Sequence, residues 1–369
     1  MRIWIVAGEE SGDYRASEVM QEVLNLNPDV EFMGAGGPRM AELATGPFDD
    51  WIEQAGVLGL WDVLKQYGYF RTKFHGMLRK IEEAQPAAVV FVDYPGFNLR
   101  LAKAIRQRKI ATRILYYVSP QVWAWNRGRI PKMAQLLDLM LCIFPFEKEL
   151  YEQSGLATEF VGHPMIERLA REPKFPREEN LLGLFPGSRE REIKRIFPPM
   201  LDSVRLLQRS HPGLRFEAAA ASESHAIKLR EMAGGLPVTI RPGVAHELMQ
   251  RATAGIVCSG TATLESAVFG LPYCLIYRTA WLTFEVGKRL VKIDHLGIVN
   301  ILGKRTVVRE FIQGDATGEA LAKEAARLLD SEETRAALQV ELREVVGTLD
   351  GKGASRRAAE AILGGVGCS

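Results

Sequence analysis

The 369-residue chain exceeds the roughly 250 to 300 residues at which one hydrophobic core stops growing, so two domains are expected. With 47% hydrophobic and 25% charged residues, and no low-complexity tract or short-period repeat, the composition excludes a disordered or solenoid protein. Basic residues number 47 and acidic ones 45, and the resulting formal charge of +2 gives no bulk electrostatic reason to expect nucleic acid as a partner.

The first apolar run, Ile3 to Val6, is too short for a signal peptide and leads straight into acidic residues, so it reads as a strand. Similar runs follow at Val30 to Met33, Ala87 to Val92, Thr112 to Val118, Leu139 to Ile143 and Glu159 to Val161. Amphipathic helical patterns separate them, and this alternation predicts a parallel sheet wound with helices. After a charged, proline-containing stretch, Glu167 to Asn180, the rhythm restarts at Leu181 to Phe185, Leu214 to Ala218, Val238 to Ile240, Gly255 to Val257 and Tyr273 to Tyr277. From about Thr317 the pattern is helical, and the last helix, Ala354 to Leu363, follows Gly351-Lys352-Gly353, a break that lets the chain turn back onto the first domain. The expected division is residues 1–168, 169–345 and a returning helix 346–369. Leu136 to Phe146 is interrupted by Asp138 and Pro145 and falls short of the ~20 residues that span a bilayer, so no transmembrane anchor is expected. Cys142, Cys258, Cys274 and Cys368 form no CxxC pair and read as thiols of a reducing cytosol.

Open parallel sheets take ligands beyond the carboxyl ends of their strands, which directs attention to the loops there. In Ala7-Gly8-Glu9-Glu10-Ser11-Gly12-Asp13, Gly8 and Gly12 permit close backbone approach and Ser11 or Asp13 can cap the next helix. This loop is either an anion or sugar site or a plain strand-to-helix turn. Gly34-Ala35-Gly36-Gly37-Pro38-Arg39 resembles half a dinucleotide fingerprint, but Arg39 stands where the third glycine belongs, which argues against hydride transfer. Asp93 closes an apolar strand and is placed as a general base, provided partial burial lifts it above the ordinary carboxylate value of about 3.9. The alternative for Asp93 is a cap on the helix that follows. Ser119, Trp123 and Trp125, ahead of Arg127 and Arg129, line either a sugar or phosphate pocket or a core. His163, in Val161-Gly162-His163-Pro164, reads as structural.

In the second half, Gly187, Ser188 and Arg189 leave a strand and enter a helix, offering amides and a guanidinium to a diphosphate. Ser259, Gly260, Thr261, Ala262 and Thr263 do the same after the next candidate strand, where small residues expose N–H groups at a helix N-terminus. Glu265 is placed to accept both hydroxyls of a ribose, or is the exposed glutamate of a capped helix; pairing with the loop at Pro186 to Arg189 favours the ribose. There is no DxD pair for a metal-bridged diphosphate, so neither a metal nor another cofactor is expected. GxSxG, Walker and HExxH patterns are absent as well. Val57, Leu60, Trp61, Leu64 and Tyr67 fall on helical spacing ahead of Arg71, Lys73, Arg79 and Lys80, the pattern of a core stripe or of an interfacial helix on anionic lipid.

Eight segments in order, AGEESGD, GAGGPRM, DYPGFNLRLAKAIR, YYVSPQVWAW, FVGHP, LFPGSREREI, SGTATLESAVFGLP and NILGKR, resemble the lipid-A-disaccharide synthases. The resemblance runs from residue 2 to about 313 and continues more weakly in the C-terminal helix. It implies two Rossmann-like doubly wound α/β domains facing across a cleft, the GT-B glycosyltransferase architecture. It also implies an inverting, metal-independent transfer from UDP-2,3-diacylglucosamine to 2,3-diacylglucosamine 1-phosphate, forming a β-1,6 bond and releasing UDP. By motif position Asp93 becomes the catalytic carboxylate, and Arg189, Glu265 and Asn300 fall on positions tied to donor binding or activity. The stripe from Val57 to Tyr67 becomes the acyl-chain and membrane contact, at the anionic cytoplasmic face of the inner membrane. Many members carry a second aspartate where this chain has Gly96, which leaves Asp93 as the motif's one carboxylate. Two rival readings fit the same fold: a UDP-sugar 2-epimerase, which needs no lipid-facing stripe, and a catalytically silent nucleotide-sugar-binding protein.

Overall fold

A computed structural model describes residues 1–52, 67–280, 284 and 294–367, without the side chains of Tyr67 and Trp125. The chain forms two compact units, one of Met1–Glu167 with Leu349–Ser369 and one of Arg168–Thr348.

The first unit is built on a seven-stranded parallel sheet in the order β3-β2-β1-β4-β5-β6-β7. Its strands are β1 (Arg2–Ala7), β2 (Glu31–Gly36), β3 (Phe48–Asp50), β4 (Ala88–Val92), β5 (Arg113–Tyr117), β6 (Leu139–Cys142) and β7 (Thr158–Phe160). Helices cover both faces, so the central strands are apolar without alternation; all five residues of β4 are buried. The connecting helices are α1 (Glu10–Leu26), α2 (Pro38–Leu43), α3 (Tyr67–Ala84), α4 (Pro95–Gln107), α5 (Val122–Trp125), α6 (Ile130–Ala134), α7 (Pro145–Glu152) and α8 (Pro164–Ala170), the last carrying the chain out of this unit. In α4 the apolar side chains Phe97, Leu101, Ala102 and Ile105 recur at helical spacing and are the buried ones, while Pro95 opens the helix where its missing N–H has no intrahelical partner. The last helix of the chain, Ala354–Gly367, packs against α1, β5 and β6. Arg357 fastens its start by donating to the carbonyl of Val161 just beyond β7.

The second unit has six parallel strands in the order β10-β9-β8-β11-β12-β13. They are β8 (Leu181–Phe185), β9 (Arg215–Ala220), β10 (Val238–Pro242), β11 (Ala254–Cys258), β12 (Tyr273–Tyr277) and β13 (Glu310–Ile312). Between and after them lie α9 (Glu190–Ser210), α10 (Glu223–Ala233), α11 (Ala245–Arg251), α12 (Thr261–Val268), α13 (Ile298–Gly303), α14 (Gly318–Asp330) and α15 (Glu332–Gly347). These are two Rossmann-like units of the kind found in GT-B glycosyltransferases.

The sequence pattern anticipated every strand except β3 and β13. Each of those is three residues long and lies at a sheet edge, too short to show a periodicity. In both sheets the first strand of the unit lies inside, and the order of connection reverses beside it, between β1 and β4 and between β8 and β11. At such a reversal the two connections leave toward opposite faces and open a crevice at the strands' carboxyl ends. The loops after β1 and β4 are therefore neighbours, as are the loops after β8 and β11. Among the described residues, no helix is long and apolar enough to cross a membrane.

Candidate active site

Asp93 is the residue after β4, at the reversal of the first sheet. It and Tyr94 both adopt left-handed backbone conformations, φ 48° and 50°, at a cost on the order of 1 kcal/mol or more each for residues other than glycine. Two buried donors hold the Asp93 carbonyl in this turn: the Tyr116 hydroxyl at 2.5 Å and Asn98 Nδ2 at 2.8 Å. The Asp93 carboxylate accepts from the N–H of Tyr94 at 2.9 Å and faces the Arg15 guanidinium at 3.7 Å, with about a third of the side chain (34%) open. Burial raises its pKa, against the opposing pull of Arg15 and the Tyr94 N–H. The helix-cap alternative fails, because α4 begins at Pro95, its N-cap is Tyr94, and no side chain caps it.

Gly8 lies directly against this turn. A Cβ there would come within 2.3 Å of the Tyr94 ring, so the glycine is required for the aromatic to lie across the β1 loop. Asp13 departs from the expectation. It is 3% exposed and inside α1, which starts at Glu10. Its carboxylate caps α2 instead, accepting from the N–H groups of Gly37 (3.0 Å), Met40 (3.1 Å) and Arg39 (3.3 Å). Asp13 thus occupies the amides of Gly37 and Arg39 that an anion would need, which counts against the dinucleotide reading. Ser11 is exposed in the first turn of α1, and Gly12 is buried against Ala7.

Ser119 and Trp123 depart in the same way. Both are buried, and both polar atoms point at Glu147, a fully buried carboxylate in the first turn of α7. The Ser119 hydroxyl and Trp123 Nε1 (2.9 Å) donate to Oε1, and the Phe144 N–H donates to Oε2 at 3.1 Å. A carboxylate without water needs such donors. Burial still pushes its pKa up to about 7. The tryptophan loop is thus anchored from within, and its expected role as an open pocket wall is not available to Ser119 or to the Trp123 indole N–H. The side chain of Trp125 lies outside the described residues. His163 is buried, with Nδ1 3.3 Å from the Met165 N–H, in keeping with a structural histidine.

In the second unit the two small-residue loops meet at the reversal between β8 and β11. Gly187 has φ 99°, and a Cβ there would stand 3.3 Å from Cys258 Sγ, so the loop after β8 runs against the end of β11. Ser188 and Arg189 are exposed, and among the described residues Arg189 pairs only with Glu192 at 2.9 Å, on a side chain 79% open. Of the five residues after β11, two are architectural. The Ser259 N–H continues the sheet by donating to Ile276, and Thr263 is fully buried with both N–H and hydroxyl on the Gly260 carbonyl. Gly260, Thr261 and Ala262 supply the first-turn amides of α12, which have no intrahelical partner. At the same end of the sheet a recess of about 460 Å³ is lined by Lys194, Arg195, Arg278, Thr279 and Gln313, adding positive charge.

Glu265, one turn into α12, has a side chain 14% exposed. Arg168 (3.2 Å) and His246 Nε2 (3.5 Å) both address its Oε1. Among the described residues Oε2 has no partner. Asn300 is fully buried in α13 and engaged at every polar atom: Oδ1 accepts from Val307 and Val308, and Nδ2 donates to the Val308 carbonyl and to Glu310. These contacts commit the side chain to holding the segment around Val307 and Val308. Val57, Leu60, Trp61 and Leu64 lie outside the described residues, as does the side chain of Tyr67. Sequence reasoning missed Arg15, Tyr116, Glu147, Arg168, His246 and Glu310. For Glu147 a signal existed, a glutamate three residues into a helix opened by proline.

A family model described as lipid-A-disaccharide synthetase matches residues 3–363. The lipid-A-disaccharide synthase of Trichlorobacter lovleyi is 40% identical over 375 residues, covering 98% of this chain and 97% of its own. That of Geobacter metallireducens is 40% identical over 379 residues (98% and 96%), and that of Pseudomonas aeruginosa 37% over 376 residues (98% and 97%). Among solved structures, UDP-GlcNAc 2-epimerase from Neisseria meningitidis bound to UDP-GlcNAc is similar with a TM-score of 0.63 at 11% identity, covering 99% of this chain and 100% of that one. The calicheamicin glycosyltransferase CalG4 is similar with a TM-score of 0.60 at 13% identity, covering 100% and 98%. An epimerase and a glycosyltransferase share this fold, so the fold does not choose the reaction. Sequence similarity along nearly the whole chain does choose, and by it the chain belongs to the lipid-A-disaccharide synthase family.

Proposed function

We infer that this lipid A disaccharide-forming glycosyltransferase joins UDP-2,3-diacylglucosamine to the 6-hydroxyl of 2,3-diacylglucosamine 1-phosphate, with Asp93 as general base. The acceptor oxygen attacks the donor's anomeric carbon with inversion, the hydroxyl proton passes to the Asp93 carboxylate, and the bond to the diphosphate breaks to release UDP. The observation that carries this reading is the Asp93 turn: a strained left-handed pair at the sheet reversal, braced by Tyr116 and Asn98, presenting a carboxylate made more basic by burial. Arg15 and the Tyr94 N–H oppose that shift and favour the ionised form, the one that accepts a proton.

Arg189 and the amides of Gly260, Thr261 and Ala262 take the donor diphosphate, and Glu265 takes the ribose. Mobile acyl substrates call for contact with the anionic cytoplasmic face of the inner membrane. The Val57 to Tyr67 sequence pattern supports that contact, together with the basic residues Arg71 and Lys73 of α3 that follow it.

The test is mass spectrometry of purified protein with both diacylglucosamine substrates in detergent. Tetraacyl disaccharide phosphate and UDP are expected, and Asp93→Asn should lower turnover about 10²- to 10⁴-fold with UDP affinity near normal. Near-normal turnover in that variant removes Asp93 as the base. Conversion of UDP-N-acetylglucosamine alone would instead support an epimerase, and UDP binding without product a silent binding protein.

A further inference from the structure

Glu265 is held from behind by a charged chain that no donor-binding role requires on its face. Arg168, at the end of α8, and His246, at the start of α11, converge on Oε1 at 3.2 and 3.5 Å. On its other side the His246 ring is 3.2 Å, through Nδ1, from Oε1 of Glu172. The imidazole also lies against the Phe269 ring, with centroids 5.5 Å apart. An imidazole with a carboxylate at each nitrogen donates from both nitrogens only when protonated, since the neutral ring has a single N–H. The arrangement therefore has two states. With a charged ring, Glu265 is tied by two cations and, among the described residues, Oε2 is left without a partner; with a neutral ring, one of the two carboxylates loses its donor.

We propose that His246 is a donor-positioning residue: its imidazolium, bracketed by Glu172 and Glu265, fixes the Glu265 carboxylate so that Oε2 meets the hydroxyls of a nucleotide ribose. This rests on the reading of Glu265 as the ribose acceptor. The groups facing the ring are Glu265 from α12, Glu172 from the segment after α8 and, through Glu265, Arg168. On its own helix Glu247 and Arg251 are engaged elsewhere, with Arg241 of β10 and with Glu178 and Glu217. Hydrogen bonds and charge from Glu265, then Glu172, raise the His246 pKa above the ordinary imidazole value despite burial. As pH rises through that raised value the ring loses a proton; the remaining N–H stays on the shorter Nδ1 contact with Glu172, so Glu265 loses one of two anchors and donor binding weakens. Chemistry at Asp93 is untouched, so the effect falls on donor KM rather than kcat.

Donor KM and kcat are measured from pH 5.5 to 9 for wild type, His246→Gln and His246→Arg, with thermal melts to confirm folding. In wild type the donor KM should climb about three- to tenfold with pH, the factor of a weakened charge-assisted hydrogen bond. His246→Gln should show the raised KM at every pH, and His246→Arg should keep the low KM to pH 9. A glutamine variant with the wild-type KM and profile, or an arginine variant whose KM still climbs, overturns the proposal. Calorimetry of UDP and 2′-deoxy-UDP on Glu265→Ala separates the two failures. Unchanged affinities there remove Glu265 from the ribose, whereas lost affinity beside an indifferent His246→Gln refutes the inference about His246 alone.

Discussion

Glu147 allows the assignment of Ser119 and Trp123 to the interior to be tested by pH. The carboxylate is 0% exposed, and burial pushes its pKa up to about 7 from the ordinary 4.5. Between those values the native protein keeps a proton that the unfolded chain has released. Stability from this site is therefore fully present below about pH 4.5 and is lost as pH rises to about 7. A separation of about 2.5 pH units, at about 1.4 kcal/mol per unit, is worth roughly 3 kcal/mol over the whole window, most of it between pH 5 and 8. Glu147→Gln removes the titration. Its amide oxygen can still accept from Ser119 and Trp123, but its NH₂ then meets the Phe144 N–H, leaving that donor unpaired at a cost of about 1 to 3 kcal/mol at any pH. The variant should be the less stable protein at pH 5, with the difference shrinking or reversing by pH 8.5. Urea unfolding followed by tryptophan fluorescence is the assay, since five of the six tryptophans lie within residues 1–167. If wild type and variant lose stability in parallel between pH 5 and 8, Glu147 is not the buried acid described.

Asn300→Ala should unfold more readily by roughly 2 to 5 kcal/mol, because the buried N–H groups of Val307 and Val308 lose their acceptor and Glu310 loses a donor. Unchanged stability with lost donor binding would instead make Asn300 a direct ligand contact. Arg189→Ala removes an exposed side chain whose ion pair is with the neighbouring Glu192, so its melting temperature should stay near that of wild type. Its UDP affinity by calorimetry should fall about ten- to a hundredfold; full affinity would take the guanidinium out of the diphosphate site.

The strands and their carboxyl-end loops were legible because burial on both faces writes a continuous apolar run, and the loops are where those runs stop. Leu181–Phe185 followed by Pro186-Gly187-Ser188-Arg189 is such a case. What could not be read was the destination of each polar atom. Asp13 stands in the first turn of one helix yet caps another whose amides are 24 to 27 residues away. Ser119 and Trp123 look like pocket residues until Glu147, 28 and 24 residues further on, is placed beneath them. Separations of that size are set by which strands become neighbours, and the sheet order is not contained in any local pattern.

The same distinction sorts the candidate site. Asp13, Ser119, Thr263 and Asn300 have their donors and acceptors matched by backbone or by buried partners, so they shape loops. In Asp93 and Glu265 one oxygen is fixed and the other is not. Among the described residues Oδ1 of Asp93 takes the Tyr94 N–H while Oδ2 has only Arg15 at 3.7 Å, and Oε1 of Glu265 takes Arg168 while Oε2 has no partner. An oxygen left open on a partly buried carboxylate is completed by a ligand's hydroxyl or, at Asp93, by a proton. In the proposed mechanism that incompleteness marks Asp93 for the proton and Glu265 for the ribose, two residues that look, in sequence, no different from the four whose polar atoms are matched.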